Sequence, residues 1–251
     1  MELLKTDSFT LSIDDDVVSL DGKKLDSSYR KLSAMKEVIM DKNAITAENG
    51  DEQIYMMYRD VAAESDRSAF DKIGVRYDVT IMPDYRLGNE LNKTLGHYHP
   101  KAEDGVSYPE IYEILKGEAL ILLQKILADG GVDLRLAHAK AGQKVLIMPD
   151  YGHITINSGH SLLAMSNLVC TRFTSDYKSI EAMHGGAIYV LSDGSHVANN
   201  AYKNVSITDP YVQPNIGSLM KDINLYDAFV SSPADFEFLS KPSILEGLIN
   251  P

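Results

Sequence analysis

His97 and His99 stand two residues apart in TLGHYHP, with Glu110 further along the same stretch and His153 in PDYGHITIN. Three imidazoles and one carboxylate suit a borderline divalent ion such as Fe, Mn, Ni or Zn. One or two coordination positions would stay open for substrate or water, which is what a Lewis-acid centre requires. The spacing fits β structure, because residues i and i+2 of a strand face the same way and His97 and His99 then converge on one point. An HxH pair in a strand is also a common surface or core feature, so the case rests on the wider spacing. Glu110 and Gly117 enclose six residues, and His153 and Asn157 enclose three, in order along β-type segments. Glu113 competes for the carboxylate position, but alternation puts it on the strand face opposite Glu110 and Tyr112, where it reads as exposed. His138, His160, His184 and His196 show no paired spacing and read as structural or surface residues.

Holding these groups requires strands. Between residues 54 and 190 the chain reads as short β-type segments broken by turn signals. The strands expected are 54–61, 73–82, 93–98, 108–115, 119–127, 132–139, 144–148, 154–156, 162–170 and 186–191. Antiparallel pairing of the strand that Glu110 opens with the strand of His97 and His99 would bring the carboxylate beside the imidazoles. Asp129-Gly130-Gly131 marks a tight hairpin, since glycine supplies the positive φ that such a turn needs. Before this core, Leu32, Met35, Val38 and Ile39 repeat at helical spacing behind the caps Ser27 and Ser28, so a short amphipathic helix is expected. After it, residues 196–219 carry prolines 210 and 214 and little periodicity, and read as an extended segment wrapping the barrel. Ser232-Pro233 followed by Asp235 combines a cap, a first-turn proline and an early acid, which predicts a helical turn or two over Pro233–Leu239. The organisation expected is an N-terminal arm and helix (1–53), a catalytic β-barrel (54–195) and a C-terminal extension packed on it (196–251).

The bulk properties narrow the function. A net charge of −12 argues against nucleic acid, whose binding rests on clustered Lys and Arg. A small anion stays possible where backbone N–H groups, a few basic side chains or a metal reverse the local field. No apolar run approaches about 18 residues, and the start MELLKTDSFT lacks a basic region followed by an apolar one. With Cys170 as the single cysteine, the expectation is a protein of the reducing cytoplasm that neither crosses nor anchors in a membrane.

The same residues resemble the cupin superfamily, whose first motif places HxH before a glutamate and, six residues on, a glycine, and whose second ends in histidine and, three residues on, asparagine. Here these are His97-x-His99, Glu110 and Gly117, then Gly142, His153 and Asn157. Met148 and Asp150 stand where the second motif has proline and glycine, and ten residues separate His99 from Glu110. More specifically, TLGHYHP, PEIYEILKGEALILLQ and the stretch ending GHITIN are similar to the cupin-type glucose-6-phosphate isomerases.

That resemblance implies a cupin double-stranded β-helix, a jelly-roll barrel that dimerises and interconverts D-glucose 6-phosphate and D-fructose 6-phosphate. It implies one divalent metal per subunit, Fe ahead of Mn, Ni or Zn, on His97, His99, Glu110 and His153. It places substrate phosphate at Thr94 and Gly96, and at Thr80 where the Pro83–Lys93 loop aligns without a gap, and the sugar against Tyr55, Tyr112 and Tyr177. Isomerisation then needs either a base at carbon, for which Glu110 is the candidate with Tyr112 as proton shuttle or hydroxyl anchor, or a metal-assisted hydride shift. Ser175 stands where smaller relatives have a histidine, and no pocket tyrosine is evident near Val169. Phosphomannose isomerase, a cupin iron oxygenase and a non-catalytic sugar-binding cupin are the alternative readings of the same residues.

Overall fold

In the computed structural model, which describes residues 1–214, 216 and 223–249, the chain opens with a four-stranded meander. Its strands are β1 (Glu2–Lys5), β2 (Thr10–Asp14), β3 (Val17–Leu20) and β4 (Lys23–Lys24). Next come β5 (Ser28–Lys31), β6 (Gln53–Tyr58), the helix α1 (Arg67–Ile73), β7 (Val75–Met82) and the ribbon β8 (Arg86–Leu87) and β9 (Glu90–Leu91). The middle of the chain runs through β10 (Glu110–Lys116), β11 (Glu118–Ile126), β12 (Val132–Lys140), β13 (Lys144–Ile147), β14 (Gly152–Asn157) and β15 (Leu163–Cys170). After α2 (Lys178–Ala182), strands β16 (Ile188–Val190), β17 (His196–Ala198) and β18 (Val205–Thr208) precede α3 (Leu225–Ser231), a 3-10 stretch at Pro233–Leu239 and α4 (Ile244–Ile249).

Two sheets form the barrel, one ordered β13-β10-β15-β7-β6-β5 and the other β14-β11-β12-β18. The barrel is all-β, as the sequence predicts. The β11–β12 hairpin forms as expected, with Ile126 opposite Val132 and Gly130 at φ +81° in the turn. In the six-stranded sheet, alternation sorts the side chains cleanly. Glu110 and Tyr112 face the barrel interior, while Ile111, Tyr77, Val79, Ile81 and Leu168 face outward. The outward face is not wet: Leu11 and Val18 of the meander, Phe70 of α1 and Tyr226, Phe229 and Phe236 of the C-terminal segment cover it. All eight residues of β15 are therefore buried.

That cover overturns one expectation. Glu113 does lie on the face opposite Glu110, but it is 4% exposed rather than solvated. Its Oε2 accepts the Leu225 N–H at 2.7 Å, tying α3 to the sheet, and Lys144 Nζ lies 3.9 Å from its Oε1. Burial pushes this carboxyl above its ordinary value, against the Leu225 amide and Lys144. Glu113→Ala strands that amide, so we expect a loss of about 1–3 kcal/mol in urea unfolding with turnover of the folded protein unchanged. Lost turnover at unchanged stability would instead make Glu113 the functional carboxylate.

Other expectations are corrected in detail. Leu32, Met35, Val38 and Ile39 are all buried, yet the regular structure there is a 3-10 turn at Leu32–Met35, and Ser28 belongs to β5 rather than to a cap. The 3-10 turn buries Leu32 and Met35, and the turns after it bury Val38 and Ile39, without a full helix. Residues 67–73, unassigned or given to a strand from sequence, are α1, closed by Gly74 at φ +78°. Ser232 makes no side-chain cap at Pro233–Leu239, whereas Asn224 caps α3 by accepting the Asp227 N–H. In the segment 196–219, β18 pairs in parallel with β12, the Gln213 side chain accepts the Leu146 N–H and donates to the Lys144 carbonyl, and residues 215 and 217–219 lie outside the described ones.

Candidate metal centre

His153 sits on β14 of the four-stranded sheet. The segment carrying His97 and His99 runs beside it, the His97 N–H donating to the His153 carbonyl at 3.2 Å and the His153 N–H returning to the His97 carbonyl at 3.0 Å. Expected as a strand over 93–98, this segment is held by isolated bridges, Lys93 to Ile156, His97 to His153 and Tyr98 to Asp176. Gly96 is needed between them: its φ is +83°, and a Cβ there would lie 2.4 Å from Ile154 Cγ1. The expected pairing of this segment with the strand of Glu110 does not occur, because β10 lies between β13 and β15. The carboxylate instead arrives from the opposite sheet, across the barrel.

Four ligand atoms, one each from His97, His99, Glu110 and His153, lie within 4.8 Å of one another. His97 Nε2 is 3.1 Å from His99 Nε2, and Glu110 Oε2 is 3.3 Å from both His99 Nε2 and His153 Nε2. His99 Nδ1 lies 2.8 Å from the Tyr108 carbonyl, which can only accept, so Nδ1 carries a proton and Nε2 is the nitrogen turned to the cluster. Burial, then His153 and His99, hold His97 well below the ordinary imidazole range, and burial lowers His153 against the pull of Glu110. Burial alone would raise Glu110, but His153 and His99 beside it bring it well below the usual carboxylate range. Asn167 Nδ2 donates to Glu110 Oε1 at 2.6 Å, while Oε2 is buried with no hydrogen-bond partner. Three imidazole nitrogens and a carboxylate oxygen converging on one buried point are unfavourable there unless a cation, proton or metal, joins them. The donor set fits a divalent ion.

One cavity is lined by His97, His99 and Glu110 together with Tyr55, Thr80, Thr94, Gly96, Tyr112 and Tyr177. The Tyr112 hydroxyl is 3.3 Å from His153 Nε2, and burial followed by the Glu110 charge pushes its phenol well above the ordinary value, so it keeps its proton. Thr94 Oγ1 accepts the Thr155 N–H at 3.0 Å, which leaves its own proton to give. The Tyr55 hydroxyl accepts from Arg30 Nε at 3.1 Å and Leu95 N at 3.3 Å. The Tyr177 ring is 5.2 Å from that of His97.

Sequence reasoning missed Asn167, Arg59 and Arg76, which line the same cavity. In VRYDVTIM the polar Arg76, Asp78 and Thr80 alternate with Val75, Tyr77, Val79 and Ile81. Alternation was therefore a signal for Arg76, although it says nothing about which face is wet. Arg59 follows the end of β6 and Asn167 sits in an apolar run, so neither carried a signal.

Among the described residues, no helix is long and apolar enough to cross a membrane. The chain is 14% identical to a cupin 2 conserved barrel domain protein from Rhodopseudomonas palustris, with 62% of this chain and 78% of that one covered and a TM-score of 0.36. A glucose-6-phosphate isomerase of Thermococcus litoralis is 30% identical over 175 residues, 69% of this chain and 85% of that protein. Another, from Pyrococcus abyssi, is 30% identical over 170 residues, 67% of this chain and 82% of that protein. The family model for glucose-6-phosphate isomerase matches residues 29–206, so by sequence the chain belongs to the glucose-6-phosphate isomerase family.

Proposed function

We propose that this chain is a metal-dependent aldose-ketose isomerase that interconverts D-glucose 6-phosphate and D-fructose 6-phosphate. The observation that carries the reading is the meeting of the His97, His99, Glu110 and His153 cluster with threonine and tyrosine hydroxyls in one cavity of a chain of this family. Fe is the ion proposed, with Mn, Ni and Zn suited to the same donors. When bound, the ion would supply Lewis acidity to the sugar oxygens at C1 and C2.

The remaining work falls to side chains. Thr80, Thr94 and the Gly96 backbone hold the phosphoryl group, which fixes the distant carbons in place. Glu110, anchored through Oε1 by Asn167, presents Oε2 to carry a proton between C1 and C2. Tyr112 gives and retakes the proton of a sugar oxygen, and Tyr55 and Tyr177 line the sugar. In this reading the barrel of residues 54–195 is the catalytic unit, flanked by the arm 1–53 and the extension 196–251, and the enzyme is a cytoplasmic homodimer.

A coupled assay for glucose 6-phosphate formed from fructose 6-phosphate tests the reading. Turnover is expected with Fe, Mn, Ni or Zn, lost on chelation and restored by returning the ion. Metal binding without isomerisation under any of these ions would reject the activity.

A further inference from the structure

The polar side of the cavity contains a charged unit that the proposed machinery does not use. Asp78 of β7 is 0% exposed and accepts four contacts: Arg59 Nη1 at 2.6 Å, Arg76 Nε at 2.8 Å and 3.1 Å to its two oxygens, and the Asp60 N–H at 2.9 Å. Two guanidiniums on one carboxylate leave a net positive charge. Arg59 also places Nη2 3.2 Å from Met57 Sδ, and Arg76 spends only Nε, so among the described residues its two Nη groups have no partner. Both arginines line the cavity, and they are the only lysine or arginine side chains among the described residues that do so.

The strand register sets where this charge lies. Arg76 is opposite Val169, which is opposite Glu110, and Asp78 is opposite Asn167, which is opposite Tyr112. The unit therefore stands two strands from the carboxylate, on the order of 10 Å across the sheet. Thr80 lies two residues beyond Asp78 on the same face of β7, about 7 Å along the strand. Among the side chains lining the cavity, a phosphoryl group at Thr80, Thr94 and Gly96 would meet neutral donors, the Arg30 guanidinium standing behind the Tyr55 hydroxyl it bonds, yet a dianion leaving water needs counter-charge. A carboxylate that grips each guanidinium by one edge leaves the other edge oriented for a second anion.

We infer that Arg59 and Arg76, held as a unit by Asp78, are the cationic half of the phosphoryl subsite and select phosphorylated over free sugars. This rests on the sugar-phosphate reading above. The test is calorimetric titration of the metal-loaded protein with inorganic phosphate, alongside KM and kcat for fructose 6-phosphate, in wild type and in R59Q, R76Q and the double variant. The double variant is expected to bind phosphate roughly tenfold or more weaker, and to raise KM by a similar factor with kcat little changed. Because it leaves Asp78 buried and unpaired, the triple variant R59Q/R76Q/D78N carries the test if the double does not fold. Unchanged phosphate affinity and KM would overturn the inference and leave the isomerase reading intact. Arginine-dependent phosphate binding in a wild type that isomerises nothing would uphold it while rejecting that reading.

Discussion

Replacing Glu110 by alanine is expected to lower kcat/KM for fructose 6-phosphate by about 10³-fold or more and to reduce the metal retained per chain. A positioned proton carrier alone contributes roughly 10²–10⁴-fold, and Glu110 is in addition the only carboxylate of the four-membered cluster. The variant leaves three neutral imidazoles, which removes the anionic donor on which a hard or borderline cation depends. Metal content by atomic emission and turnover in the coupled assay read the two effects separately. Glu110→Gln, which keeps the volume and the Asn167 contact, serves as the control for folding. Retained metal with lost turnover would confine Glu110 to proton transfer, and undiminished turnover would remove it from the site altogether.

Replacing Phe229 by alanine is expected to cost about 3–5 kcal/mol, the range for truncating a fully buried phenylalanine. The ring is 0% exposed, 4.4 Å from that of Phe70 and 5.4 Å from that of Phe236, at the centre of the layer over the outer face of the six-stranded sheet. For a chain of this size each kcal/mol moves Tm by roughly 2–4 °C, so a fall of about 6–20 °C should appear in a thermal scan. Of the candidate metal cluster, Glu110 lies on the inner face of the same sheet and the histidines lie across the barrel, so kcat measured well below the transition should be unchanged. An unaltered Tm would mean that this layer does not stabilise the barrel.

These two variants probe opposite faces of one sheet, and they mark how far the sequence could be read. The two-residue spacing put His97 beside His99 although their segment is held by isolated bridges, alternation separated Glu110 and Tyr112 from Glu113, and the Asp-Gly-Gly signal placed the Gly130 hairpin. It could not show that the outward face of β10 is buried, because its cover comes from residues 3–20, 70 and 225–239, far away in sequence. Glu113 was misread for that reason. The short 3-10 turn at Leu32–Met35 was misread for a local one, since a few apolar residues at helical spacing are equally served by a single turn.

The three histidines and the glutamate of the cluster, the two-residue spacing that turns His97 and His99 to one side, and the family resemblance were all legible in the sequence itself. Only tertiary structure decided that Glu110 reaches the histidines from the opposite sheet rather than from a neighbouring strand, and that Asn167, Arg59 and Arg76 enter the same cavity. The physical reason is that a period of two assigns side chains to common faces, while strand order and the layers packed over each face depend on contacts between distant parts of the chain.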